Sequence, residues 1–156
     1  MTAISTCPCN ADRDYLNCCG RYHAGATANT PQELMRARYS AFARHSIEFI
    51  KASTLPAQRV QLDMAAITQW SQNSQWLGLE VIAEHIHHDQ RHATVEFIAH
   101  WQDAQGCHQH QETSVFVKPD NCWYFYDPNV PLHAERNAPC PCGSTLKFKK
   151  CCAPYL

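Results

Sequence analysis

At 156 residues the chain has room for one domain of ordinary size with a core of its own, but not for two with a linker. A composition of 45% hydrophobic and 17% charged residues excludes a disordered chain, and no apolar run has the length of a membrane span or the pattern of a secretory start, so the cytoplasm is the expected location. The formal net charge of -1 does not suit a generic nucleic-acid binder.

The first element, over residues 1–26, is a cysteine cluster. Cys7-Pro8-Cys9 is followed after eight residues by Cys18-Cys19, then by Tyr22. Ten cysteines in a cytosolic chain point away from disulfides, and adjacent cysteines suit a disulfide framework poorly. Four thiolates brought together from two short segments suit tetrahedral zinc. Asn10 is placed to take a left-handed turn after Cys9.

The central domain, over residues 27–132, opens with Thr30-Pro31-Gln32-Glu33, a capping-box start with proline at the first helical position. Leu34, Met35, Ala37, Ala41 and Phe42 then form an apolar stripe, which predicts a helix over about 31–45. Ser46 caps a short second helix through Ala52. Leu62 to Ser71 reads as a third, with Ala66, Ile67 and Trp70 facing inward. The period then changes to two. Leu77, Leu79, Val81 and Ala83 form one strand and Ala93, Val95, Phe97, Ala99 and Trp101 the next. Their loop at Asp89-Gln90-Arg91 predicts Ala83 opposite Phe97, Val81 opposite Ala99, Glu84 opposite Glu96 and Glu80 opposite His100. Two further strands, about 107–118 and 122–127, are joined by Pro119-Asp120-Asn121, with Val115 opposite Phe125 and Val117 opposite Trp123. Three helices followed by four antiparallel strands make an α+β fold.

The last element, over residues 133–156, repeats the first. A shift of 133 positions carries Cys7, Cys9, Cys18, Cys19 and Tyr22 onto Cys140, Cys142, Cys151, Cys152 and Tyr155. Gly143 stands where the first copy has Asn10. Two Zn2+ ions per chain are expected, and two Zn(Cys)4 sites, each adding -2, bring the net charge to -5. That value argues further against nucleic acid. Each site contributes folding free energy outright, on the order of 10 kcal/mol or more, so the two knuckles are expected to order as appendages on a core that stands without them.

The run Arg136 to Ser144 followed by Lys149-Lys150-Cys151-Cys152 resembles the SEC-C motif, the zinc knuckle found also on the tail of the SecA translocase. A copy at each end, with Leu34-Met35-Arg36-Ala37-Arg38-Tyr39-Ser40-Ala41-Phe42 between them, resembles the bacterial YchJ family over essentially the whole chain. The resemblance implies a central domain of the nuclear-transport-factor-like cone fold, with three helices packed on a curved four-stranded antiparallel sheet, and no established activity. The chain departs from the motif at Asn10-Ala11, where Gly-Ser is usual, and at Thr145-Leu146, where Gly-Lys is usual.

Candidates for chemistry outside the knuckles are few. Seven of the ten histidines concentrate in the sheet region without ligand spacing and read as solvated or hydrogen-bonded side chains. His23 follows the first knuckle but is not needed as a ligand. Cys107 and Cys122 read as small strand residues, and Glu84 beside Glu96 as a solvated pair. Arg38 shares the apolar stripe; its favoured reading is a stem laid on the core with the head snorkelling out, and the alternative is a cation pointing into a cone pocket. Lys147, Lys149 and Lys150 beside Phe148 have two readings, cations that offset the -2 charge of the Zn(Cys)4 centre or a basic patch that docks an acidic protein partner. No phosphate loop, nucleophile elbow or paired catalytic carboxylate stands out. The reading is a zinc-binding cytoplasmic protein-interaction module, and no enzyme can be read from the sequence. The alternatives are a small-molecule binder or enzyme using the cone pocket, or RNA contact through the knuckles.

Overall fold

The computed structural model describes residues 5–156. Its elements are α1 (Cys19–His23), α2 (Pro31–Ala43), α3 (Ile47–Ala52), α4 (Met64–Asn73), β1 (Gln75–Ile86), β2 (His92–Asp103), β3 (Gly106–Val117) and β4 (Tyr124–Tyr126). The four strands form one antiparallel sheet in sequence order, with the helices on one face. Among the described residues no helix is long and apolar enough to cross a membrane.

Helix α2 organises the molecule. Thr30 accepts a hydrogen bond from the Glu33 N–H at 3.1 Å, while the Glu33 carboxylate reaches back to the Asn29 N–H at 2.8 Å. The first bond satisfies an orphan donor of the helix start, and the second ties down the residue before the cap. The helix stops at Ala43, two residues short of the predicted end, because His45 adopts a left-handed φ of 60° and the Ser46 N–H turns back to the Ala41 carbonyl at 2.8 Å. Leu34, Met35 and Tyr39 pack on Leu79, Val95, Phe97, Ala99 and Phe116 of the sheet. Ala37 and Ser40, on the other side of the helix, are fully buried as well. A helix buried on two faces has a second neighbour, and here it is the N-terminal knuckle.

The strands fall where the alternation predicts, but their pairing is shifted. Val81 lies opposite Phe97, Leu79 opposite Ala99, Ala83 opposite Glu96 and Glu84 opposite Val95, with irregularities at Leu77 and Ile82. Glu80 faces Ile98 in place of His100. Each bulge inserts one unpaired residue, so the inward set is Leu79 and half-buried Val81, while Leu77 and Ala83 are exposed. On β3 and β4 the pairs are Val115 with Tyr126, Phe116 with Phe125 and Val117 with Tyr124, one residue away from the expected register. Asn121, at φ 74°, lengthens that turn, and Trp123 is buried just ahead of the strand.

The outer edge of β4 is covered by the segment after α3. Leu55 N–H donates to the Phe125 carbonyl at 2.9 Å and Phe125 N–H to the Ser53 carbonyl at 2.8 Å. Helix α4 lies more open than its pattern suggests. Ala66 is exposed and Trp70 is 44% exposed, yet Trp70 packs edge-on against Phe42, Trp76 and Trp101, with ring centroids 5.1, 5.2 and 5.6 Å apart.

The knuckles are not appendages. Leu55, Val117 and Tyr126 form one apolar cluster with Cys140, Cys142, Cys151 and Cys152. Cys7, Cys9, Cys18 and Cys19 cluster with Tyr22 and with Ala37 of α2.

Candidate functional site

The two cysteine clusters share a backbone plan. Each begins with a short antiparallel bridge, Thr6 with Asp14 and Pro139 with Lys147. The Cys7 N–H donates to the Arg13 carbonyl at 2.8 Å and the Cys140 N–H to the Leu146 carbonyl at 2.7 Å. Asn10 and Gly143 both have positive φ, 61° and 90°, as do Asp12 and Thr145, 55° and 72°. The repeat of the sequence is therefore a repeat of dihedral angles. A 3-10 turn, Tyr15–Asn17 or Phe148–Lys150, then delivers the adjacent cysteine pair.

Within each set of four, the ligand atoms all lie within 4.8 Å of one another, and all eight cysteines are buried. The Cys9 and Cys18 sulfurs are 3.6 Å apart and those of Cys18 and Cys19 4.0 Å. The corresponding separations in the second set are 3.6 Å for Cys142 and Cys151 and 3.9 Å for Cys151 and Cys152. Four sulfurs at the corners of a tetrahedron about 2.3 Å from one ion would stand about 3.8 Å apart, whereas a disulfide would bring a pair to about 2 Å. The residues present therefore fit a four-coordinate soft metal ion at each end. Four adjacent thiols cannot all ionise unaided. A hydrogen bond from Cys152 holds Cys142 down at about 4, and the same contact, with burial, drives Cys152 far up. Cys7 and Cys19 divide the same way. A dication removes the conflict.

Each cluster is braced by the central domain. The Ser40 hydroxyl lies 3.4 Å from the Cys7 sulfur, and Arg36 Nη1 donates to the Cys9 carbonyl at 2.8 Å. His23 does not approach as a ligand: its Nε2 lies 2.8 Å from the Ala37 carbonyl and its Nδ1 2.6 Å from the Tyr15 hydroxyl. At the other end His92 is fully buried, with Nε2 3.2 Å from Cys152 Sγ and Nδ1 2.6 Å from Asp89 Oδ2. The Tyr155 ring stacks on His92 at 4.4 Å. Arg91 Nη1 lies 3.7 Å from Cys151 Sγ and the Ser144 hydroxyl 3.0 Å from it. Such outer partners orient ligands and offset the charge of a tetrathiolate site.

Between the helices and the sheet lies a cavity of about 750 Å³. Its walls include Tyr39, Phe42, Trp70, Trp76 and Trp101, and Arg38 reaches it from α2. Arg38 is 6% exposed, so the snorkelling reading is wrong: the residue lies one turn from Leu34 on the face that meets the sheet, too deep for its head to reach bulk water. Its guanidinium lies over the Phe125 ring, 3.9 Å from the centroid, and Nη1 donates to Ile50 O, Ser53 Oγ and Thr54 Oγ1. Burial brings its pKa down to about 9, with the charge of Asp127 opposing, so it stays cationic at neutral pH.

The family model for the YchJ middle NTF2-like domain matches residues 30–128, and the SEC-C motif matches residues 136–154. The chain belongs to the YchJ family. It is similar to the crystal structure of a SEC-C motif containing protein from Psychrobacter arcticus, at 40% identity over 99% of this chain and 98% of that one, with a TM-score of 0.88. It is also similar to the solution structure of a SEC-C motif containing protein from Rhodopseudomonas palustris, at 31% identity over 79% of this chain and 96% of that one, with a TM-score of 0.71.

In this YchJ-family chain the other candidates separate. Lys147 and Lys150 are exposed and Lys149 half-buried; among the described residues none of the three has a carboxylate within 4.0 Å. Cys107 is exposed, Cys122 is half-buried, and neither joins a cluster. Glu84 and Glu96 are not a pair: Glu84 accepts from the Gln32 N–H at 2.8 Å and Glu96 from Gln111 Nε2 at 2.9 Å. His100, His108 and His110 each sit 2.8 Å from a carboxylate, on Glu80, Asp103 and Glu112. His92 is one of the hydrogen-bonded sheet histidines, but its partner at Nε2 is a cluster sulfur. Its role escapes sequence reasoning because it arises from a contact between residues sixty positions apart, and the turn sequence Asp89 to Arg91 carries no ligand signature.

Proposed function

We propose that this is a cytoplasmic protein with two structural zinc ions whose central cavity binds a small organic molecule. The observation that carries the cavity reading is Arg38, a cation held in an apolar, aromatic-walled space large enough for a drug-sized ligand. Zinc is favoured by the four-thiol donor sets and their spacing. A reducing compartment is favoured because the eight clustered cysteines serve as ligands only as thiols. Elemental analysis of protein purified without added metal should give about two zinc ions per chain. The zinc-loaded protein should bind the neutral dye N-phenyl-1-naphthylamine with saturable, one-to-one stoichiometry. Ala99→Phe, which fills the cavity, should abolish that binding while the protein stays folded. Saturable binding unchanged by Ala99→Phe would place the dye elsewhere and end the cavity reading.

A second reading, a protein-docking surface at the C-terminal knuckle, is supported by Lys147, Lys149 and Lys150 having no carboxylate within 4.0 Å among the described residues. Lys147→Glu with Lys149→Glu should then abolish affinity capture of an acidic partner from cell extract without loss of zinc, with salt weakening capture by the intact protein. Retention of the partner by the double variant would remove this reading.

A further inference from the structure

The Arg38 guanidinium is only half used. Its three hydrogen bonds all leave from Nη1, to Ile50 O at 2.9 Å, Ser53 Oγ at 2.7 Å and Thr54 Oγ1 at 3.2 Å. Among the described residues Nε and Nη2 have no hydrogen-bond partner, and no carboxylate lies within 4.0 Å of the group. Yet no buried side-chain nitrogen or oxygen in the described residues is sealed away unpartnered. The two free nitrogens are therefore open, and what Arg38 opens onto is the cavity it lines. Nε–H and Nη2–H are the two parallel donors of one guanidinium edge, the geometry that takes a carboxylate through two bonds at once. The three bonds at Nη1 and the Phe125 ring 3.9 Å away hold the guanidinium in place and leave it little freedom to lose on binding.

The rest of the lining narrows the ligand. Asp127 and Glu112 also border the cavity, so it holds one arginine against two carboxylates. Asp127 is too far to pair with Arg38, and its Oδ1 accepts from the Asn129 N–H at 2.9 Å. Glu112 is occupied by His110 at 2.8 Å. Two acidic groups on the same walls oppose a dianion more than a monoanion, which tells against phosphate esters. The tryptophan, tyrosine and phenylalanine walls favour a flat apolar body.

We propose that the cavity binds a flat, predominantly apolar monocarboxylate, with the carboxylate on the Nε–Nη2 edge of Arg38 and the ring system among the aromatic side chains. This rests on the cavity being a binding site, as proposed above, and adds the class and orientation of its ligand.

The test compares 1-naphthoate, its neutral carboxamide and 1-naphthyl phosphate by calorimetric titration of the full-length, zinc-loaded protein. Nitrogen-15 NMR follows the Arg38 Nε–H during each titration. The acid should bind at least about tenfold more tightly than the amide, as losing a charge-assisted pair requires, and more tightly than the phosphate. The Arg38 Nε–H resonance should shift with acid occupancy. Arg38→Lys, which keeps the charge but not the edge, should weaken the acid by about tenfold or more and leave the amide unchanged. Because the ligand comparison uses the unaltered protein, a variant that fails to fold does not spare the proposal. Amide binding as tight as acid, phosphate binding tighter than acid, or acid binding without a shift at Arg38 each overturns the carboxylate assignment while the cavity remains a site. If the neutral dye binds and 1-naphthoate does not, the ligand class alone fails. If neither binds, both readings fail.

Discussion

Thr145 occupies the left-handed region at φ 72°, where a β-branched side chain is strained by about 1–2 kcal/mol. The equivalent residue of the first knuckle is Asp12, at φ 55°, a type that tolerates this region better. Thr145→Gly should therefore stabilise the zinc-loaded protein by about 1 kcal/mol, read as a higher midpoint of denaturant unfolding with an unchanged slope. Gly143→Ala, at φ 90° with nothing within 4 Å of the added methyl, should lose a similar amount through backbone strain alone. The sequence shows Asn10 and Gly143, because turn chemistry is local and glycine or asparagine after Cys-Pro-Cys implies a left-handed residue; it does not show Asp12 and Thr145, whose residue types carry no such signal. It does not show the purpose of Gly78, at φ 144°. An added Cβ there would be strained by the backbone and would displace the tip of the Asn10 side chain, from a knuckle sixty-eight residues away.

At the scale of elements, α2 was legible in its start, its type and one of its faces. Its second face was not. Arg36, Ser40 and Arg44 recur every four residues and look like an ordinary solvated stripe, but they form the seat of the N-terminal knuckle, through the Cys9 carbonyl, the Cys7 sulfur and the Tyr15 ring, the last 3.8 Å from the Arg44 guanidinium. A polar stripe facing water and one facing a thiolate cluster have the same composition. Arg36→Ala removes a charge-assisted bond of 2.8 Å to a backbone carbonyl and should destabilise the protein by about 1.5–3 kcal/mol, measured by chemical unfolding with zinc in place. The strands follow the same rule. Alternation identifies β2 residue by residue, since Ala93, Val95, Phe97 and Ala99 are all buried, but pairing depends on bulges that no hydrophobic pattern announces.

For the whole molecule, the sharing of core between knuckles and cone domain decides how it unfolds. Leu55, Val117 and Tyr126 pack directly against the C-terminal cysteines, and Arg91 of the β1–β2 turn and His92 at the start of β2 meet the sulfurs. Cys142→Ser removes one thiol from a site that, holding zinc as proposed, would contribute on the order of 10 kcal/mol, and the loss should reach the sheet. Calorimetry should show a single transition at lower temperature, and hydrogen exchange should show weakened protection at the β4 end of the sheet as well as in the knuckle. A separate early transition with an unshifted main peak would mean that the knuckle unfolds by itself.

The two dislocations in β1 have an effect beyond register. The sheet has one margin covered, by the segment after α3 lying along β4, and one, the outer side of β1, along which no strand or bridge pairs among the described residues. A bare margin of unpaired N–H and C=O groups templates the addition of a strand from another chain, and Leu77 and Ile82, both nearly half exposed, would make the match adhesive. Bulges at those same two residues break the margin into short, differently twisted runs that no straight partner can follow. Irregular pairing of this kind disfavours the addition of a strand along β1, and Leu77 and Ile82, the apolar side chains that break the inside-outside alternation, stand at the two points of irregularity.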